Sequence, residues 1–210
     1  MGEWTDLVKL TVALLAIVDP FASIPVFLGI TVGYTHAERQ RVTQVVAITV
    51  FCVLAVAALI GTQVLRFFGI SIPSFLIAGG ILLLLMAIAM LQARESGIRQ
   101  TPAEAAEASE KDAIAVVPLG IPLLAGPGAI STMIIATHHS QGVVGHFTLL
   151  IPAALVGIAV WATFAAATRI SMRLGKTGMN IVTRVMGLII AAIAVEYIYR
   201  GLIELFPSLV

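Results

Sequence analysis

Long apolar runs alternate with short polar stretches along this chain. Six of the runs approach the ~20 residues that a helix needs to cross a bilayer. They cover about residues 7–32, 42–65, 73–91, 113–137, 147–168 and 181–199. The one long polar interval is residues 92–112, which reads as a solvated connector. The pattern predicts an all-α membrane protein with six transmembrane helices.

Two of the six runs cannot be ordinary helices. Residues 118–132 hold Pro118, Pro122 and Pro127 together with Gly120, Gly126 and Gly128. Each proline lacks an N–H, and its ring clashes with the carbonyl four residues back. The first run is interrupted in the same way, at Asp19-Pro20 and at Pro25. Broken backbone at membrane depth is tolerated only where it packs in protein or lines a cavity. Residues 7–20 would rise roughly 20 Å and residues 113–122 roughly 14 Å as helix. Both breaks are therefore expected near the middle of a core about 30 Å thick.

The layout repeats. Pro20 and Pro25 have the spacing of Pro122 and Pro127, and Thr35 and Thr137 follow ten residues after Pro25 and Pro127. Residues 77–82 and 185–190 also resemble each other. Three spans per unit is an odd number, so the second unit must be inverted. The expected organisation is a first three-helix repeat over residues 1–92, a linker over 93–112 and a second, inverted repeat over 113–210. Helices 1 and 4 are the broken members. Transporters commonly use this plan and place the substrate between the breaks.

Charge sets the orientation. Arg39, Arg41, Arg94, Arg99, Lys111, Arg169, Arg173, Lys176 and Arg184 fall after spans 1, 3 and 5, against Lys9, Arg66 and Arg200 on the other side. The bias predicts cytoplasmic loops at the first set and both termini outside, in the inner or plasma membrane. Glu3 and Asp6 replace a basic leader region, so no cleaved signal peptide is expected. Composition adds little but exclusions. The chain is 60% hydrophobic and 11% charged, with net charge +1, which gives no electrostatic case for nucleic acid. One cysteine, Cys52, permits no internal disulfide. No phosphate-binding loop, cofactor motif or catalytic constellation is present, so work must be driven by an ion or substrate gradient unless a partner supplies the energy.

Asp19-Pro20 followed by Ile24-Pro25-Val26-Phe27, with the 118–132 stretch, resembles the MarC family of six-span membrane proteins. The likeness covers the whole chain, and the second motif is the specific one. Ala22 departs from it, since a glycine is common there. The family is similar to the small neutral amino acid transporters called SnatA. The resemblance thus implies a secondary transporter of glycine, alanine or serine, with proton coupling.

The residues support such a site independently. Asp19 is a carboxylate at mid-bilayer, and such groups usually mark a cavity or an ion path. Desolvation disfavours its charged form, as a proton carrier requires; alternatively it only caps the half-helix that follows. The half-helices beginning near Ser23 and Gly126 would offer N–H groups of Ser23, Ile24, Gly126, Gly128 and Ala129 to a carboxylate. Carbonyls freed by Pro20, Pro25, Pro122 and Pro127 would face an ammonium, and Ala125 and the glycines keep the backbone approachable. Ser131 and Thr132 could bond a substrate or their own helix. Glu196 is a second coupling-ion candidate. His138, His139 and His146 read as a solvated loop, with no metal expected. Pairs such as Ala57 with Gly61 and Ala153 with Gly157 read as close helix contacts. Besides the amino acid, the proton and membrane lipid, a homo-oligomer is an open partner. The competing classes are an exporter of other small metabolites or drugs, a passive facilitator and a non-transporting scaffold.

Overall fold

The computed structural model describes residues 3–31, 33–92, 124–139 and 142–206. Among these every regular element is a helix: α1 (Glu3–Val18), α2 (Ile24–Ile30), α3 (His36–Phe67), α4 (Ile72–Leu91), α5 (Pro127–His139), α6 (Gly142–Thr148), α7 (Leu150–Ala165) and α8 (Ala167–Leu205). Four helices are long and apolar enough to cross a membrane, at His36–Phe67, Ile72–Leu91, Gly145–Ala165 and Asn180–Leu205. The other two expected spans are not continuous helices. The first is α1 and α2 joined by a non-helical turn, and α1 alone, at 16 residues, rises only about 24 Å. The second enters the described region at Leu124 and becomes helical at Pro127. Pro122 and most of the 92–112 connector lie outside the described residues.

Local chemistry sets several boundaries. Thr35 opens α3 with a reciprocal cap: its hydroxyl accepts from the Glu38 N–H, and the Glu38 carboxylate accepts from the Thr35 N–H at 2.8 Å. Ser71 caps α4 by accepting from the Ser74 N–H. The polar stretch after the fifth span, expected as a loop, is helical instead. It forms the first part of α8, which turns a corner at Gly175 (φ 60°, ψ −176°) before the membrane-crossing part begins. Glycine takes that conformation without steric penalty, so the corner needs no proline and leaves no sign in the hydropathy pattern.

The packing is close because small residues face one another. α4 and α8 run antiparallel, with Gly201 against Pro73, Gly80 against Ala194 and Ile198, and Gly187 against Ala87 and Met90. On α7, Gly157 sits against Ala47 and Phe51 of α3, and Gly61 of α3 sits directly against Ile134 of α5. These contacts are what the small-residue spacing predicts. α3 also packs on α5 while α1 packs on α7, and α4 packs on α5 while α1 and α2 pack on α8. Large apolar side chains such as Ile48, Val56, Ile60, Leu155, Ile158, Leu188 and Val195 point outward. The interior instead buries Asp19, Ser23, Thr31, Thr43, Ser131, Thr132 and Thr137. Apolar outside and partly polar inside is the arrangement of a protein dissolved in lipid.

Candidate functional site

The turn at Asp19 is the most unusual backbone in the described chain. Asp19 is the one described non-glycine residue with positive φ, at 37°; Asp and Asn are the residues that best tolerate that region. Its N–H still donates to the Leu15 carbonyl at 3.0 Å, closing α1. Its Oδ1 accepts from the Ala22 N–H at 3.2 Å, which holds the turn over Pro20. The chain then re-enters helix through Ser23. Pro25 falls in the first turn of α2, where a missing N–H has no helical partner to lose.

The second break is described from Leu124 onward and shares with the first a proline in the opening turn of its half-helix. Leu124 and Ala125 are buried, and Pro127 is the first residue of α5. The Gly126 carbonyl accepts from both Ala129 and Ile130, at 3.0 and 3.1 Å. In the first break Ile24 donates to the Phe21 carbonyl at 3.1 Å. The Ile24 and Ala129 N–H groups, expected to be free for a ligand, are thus engaged within their own turns. A tight three-residue bond at each half-helix start satisfies them, as often happens at helix ends.

The two interrupted segments approach each other at Gly128. A Cβ placed on Gly128 would lie 3.4 Å from Ile17 Cγ2 at the end of α1 and 2.6 Å from Leu83 Cδ2 on α4. Only a glycine lets these three elements approach at that point. The Gly128 carbonyl accepts from the hydroxyls of both Ser131, at 3.0 Å, and Thr132, at 2.8 Å. The helix-bonded alternative for these two side chains is therefore the one realised. Each hydroxyl oxygen keeps acceptor capacity after donating. Ser131 faces α4, where a Cβ on Gly79 would stand 3.0 Å from its Oγ. Thr132 lies against the phenol of Tyr197 from α8. Asp19, Ser23, Ser131 and Thr132 are each at most 2% exposed.

Other sequence candidates lie elsewhere. Glu196 points outward and accepts from Arg200 Nε at 2.7 Å, one turn along α8. Arg184 is exposed. His138 is exposed at the end of α5, and no group of three or more His, Cys, Asp or Glu side chains gathers among the described residues. Thr35 and Thr137, matched by spacing, serve different ends. Thr35 caps α3, whereas Thr137 is buried in α5 and donates to the Met133 and Ala58 carbonyls at 2.9 and 3.2 Å.

Two participants were not legible as site residues. Tyr197 reads from sequence as an interfacial aromatic beside Glu196, and Gly79 as part of a repeat. The helical spacing from Ala194 to Tyr197 and Ile198 could have shown that Tyr197 borders the inward face.

Comparison with known proteins gives the family. The family described as "MarC family integral membrane protein" matches residues 4–206. The UPF0056 membrane protein YhcE of Escherichia coli (strain K12) is 36% identical over 201 residues, covering 96% of this chain and 94% of that one. YvbG of Bacillus subtilis (strain 168) is 37% identical over 204 residues, 97% of each chain. MJ1677 of Methanocaldococcus jannaschii is 40% identical over 192 residues, 90% of this chain and 92% of that one. No solved structure matches the chain. By family match and by full-length identity alike, the chain belongs to the MarC family of integral membrane proteins.

Proposed function

We propose that this protein is a secondary active transporter of small neutral amino acids of the glycine, alanine and serine class, coupled to protons. The substrate binds between the breaks that follow α1 and precede α5. The carrying observation is the close approach of Gly128, at the start of α5, to Ile17 at the end of α1, with Asp19, Ser23, Ser131 and Thr132 all buried on the two interrupted segments. A scaffold has no use for two interrupted helices brought together at a carboxylate. A substrate with an ammonium and a carboxylate does, because carboxylate, carbonyl and hydroxyl oxygens suit the ammonium, and helix N-termini the carboxylate.

The size of the site favours a small side chain. A Cβ added at Gly128 would collide with Leu83, and one at Gly79 would press on Ser131, so little space is left beside these residues. Drug export would want a wide apolar cavity there instead. Apolar grooves of about 370 and 350 Å³ lie along α3, against α5 and α7.

Two inverted three-helix repeats, residues 1–92 and 113–210 about a 93–112 linker, account for the reciprocal packing. α3 lies on α5 as α7 lies on α1, and α4 pairs with α8. Alternating access would come from one repeat rocking on the other about the buried centre. In this scheme Asp19 carries the coupling proton; Glu196, paired with Arg200 at the outer surface of α8, is the weaker candidate. The basic loops face the cytoplasm of the inner or plasma membrane, and both termini lie outside.

Proteoliposomes test the proposal. Labelled glycine and alanine should accumulate when a pH gradient is imposed and only equilibrate without one. Accumulation indifferent to the gradient, or no uptake of either, ends it.

A further inference from the structure

The seam between α3 and α7 holds a feature the transport cycle does not use. At the basic end of α3, a pocket of about 150 Å³ is lined by His36, Arg39, Gln40, Thr43, Trp161 and Phe164. It adjoins a groove of about 350 Å³ that runs on along the same two helices. Ala47, Ile48, Phe51, Ala154 and Ile158 line that groove, and Trp161 borders both spaces. The first space offers cationic and hydrogen-bonding side chains; the second is apolar apart from Gln44 and the Trp161 ring nitrogen.

Arg39 is held in place at this junction. Its Nη2 donates to the Thr31 carbonyl at 3.1 Å and its Nη1 to Thr168 Oγ1 at 3.2 Å. Its Nε is buried with no hydrogen-bond partner. Both partners are neutral, so the guanidinium charge beside the pocket is not balanced by either of them. An unmet donor on a fixed cation is the kind of group that requires explanation. A phosphate in the pocket would supply the opposite charge, and acceptors for the Nη hydrogens that Thr31 and Thr168 leave open.

We propose that the α3–α7 seam is a binding site for one anionic phospholipid, with its phosphate headgroup in the Arg39 pocket and one acyl chain along the groove below. Charge complementarity selects the occupant. A neutral lipid would fill the groove but leave Arg39 unanswered, and a soluble anion would fill the pocket but leave the groove bare. Trp161 sits at the boundary, where an aromatic ring with one polar edge belongs. Basic pockets between transmembrane helices suit such headgroups. The site does not depend on the transport proposal.

Trp161 also supplies the reporter. The chain has two tryptophans, so Trp4→Phe leaves Trp161 alone. In phosphatidylcholine vesicles doped with bromine-labelled phosphatidylglycerol, Trp161 fluorescence should be quenched at a mole fraction lower by roughly fivefold than with bromine-labelled phosphatidylcholine, the effect of about one cationic side chain near a membrane surface. Arg39→Gln should abolish that preference. Arg169→Gln removes the same charge outside the pocket and should keep it. Ala154→Phe fills the groove, leaves the Arg39 hydrogen bonds alone, and should weaken quenching by the anionic lipid. Equal quenching by the two lipids in the unmodified pocket overturns the proposal. So does equal loss in both arginine variants, which means a diffuse surface field, and so does displacement by added inorganic phosphate, which means a soluble-anion site. Unchanged quenching in Ala154→Phe removes the acyl chain from the groove and overturns it as well.

Discussion

Gly80 on α4 and Ala194 on α8 are so close that a Cβ on Gly80 would stand 2.8 Å from the Ala194 carbonyl oxygen. At Gly201 a Cβ would stand 2.7 Å from the Pro73 carbonyl oxygen. Backbone atoms of a packed helix cannot step aside as a side-chain tip can. Gly80→Ala and Gly201→Ala should each lower stability by about 1–3 kcal/mol, the usual range for overpacking. Gly29→Ala is the control, since nothing lies within 4 Å of a Cβ there. Thermal unfolding in detergent reads all three, and an undisturbed midpoint for Gly80→Ala contradicts the close contact.

Gly79 and Ser131 form a pair suited to a double-mutant cycle. A methyl on Gly79 presses on Ser131 Oγ at 3.0 Å. Gly79→Ala should therefore destabilise the protein, and adding Ser131→Ala should recover part of the loss by removing that oxygen. Interaction terms between contacting residues run to about 0.5–3 kcal/mol. Strict additivity of the two changes would separate α4 from the start of α5.

Asp19→Asn separates the roles of the buried carboxylate. Asn tolerates positive φ and its Oδ1 can still accept from Ala22, so the fold should persist. Substrate binding and exchange should persist with it, while pH-driven accumulation should fail. Weakening of binding by about 1.5–3 kcal/mol, the range for a hydrogen bond to a charged group, would instead assign Asp19 to the substrate ammonium. Full pH-driven uptake in the variant would falsify proton coupling through Asp19. Asp19→Ala should be worse on every measure, because it loses the Ala22 bond and strains the backbone by roughly 1–3 kcal/mol.

Orientation is checked by labelling. In a Cys52→Ala background, a cysteine placed between residues 93 and 112 should resist a membrane-impermeant reagent added to intact cells. One placed at the N-terminal end of α1 should react. The reverse pattern overturns the expected topology.

How far these features were legible depends on what each one rests on. Apolar runs gave α3, α4, α7 and the membrane part of α8, because a lipid-facing helix is apolar over its full length. Proline placement gave the break after α1 and the start of α5, because a missing N–H acts on its own backbone wherever it stands. The turn in α8 was not legible, because Gly175 turns the chain without changing polarity. Tyr197 was hidden for a different reason. It reaches Thr132 only through the pairing of α4 with α8 and α4 with α5, which no stretch of one helix reports. The engaged N–H groups of Ile24 and Ala129 depend on turn geometry within a few tenths of an ångström, below the grain of residue types.

The corner at Gly175 bears on a question of symmetry. Between α3 and α4 the chain reverses within the few residues from Phe68 to Ser71, whereas between α7 and the membrane part of α8 it carries an added helical piece containing Arg169, Met172 and Arg173. In the proposed inverted repeat, identical halves would be exchanged by a two-fold rotation, and inward- and outward-facing forms would then have equal energy. The added piece belongs to one half alone, so under that proposal the two forms are unequal in energy even when nothing is bound.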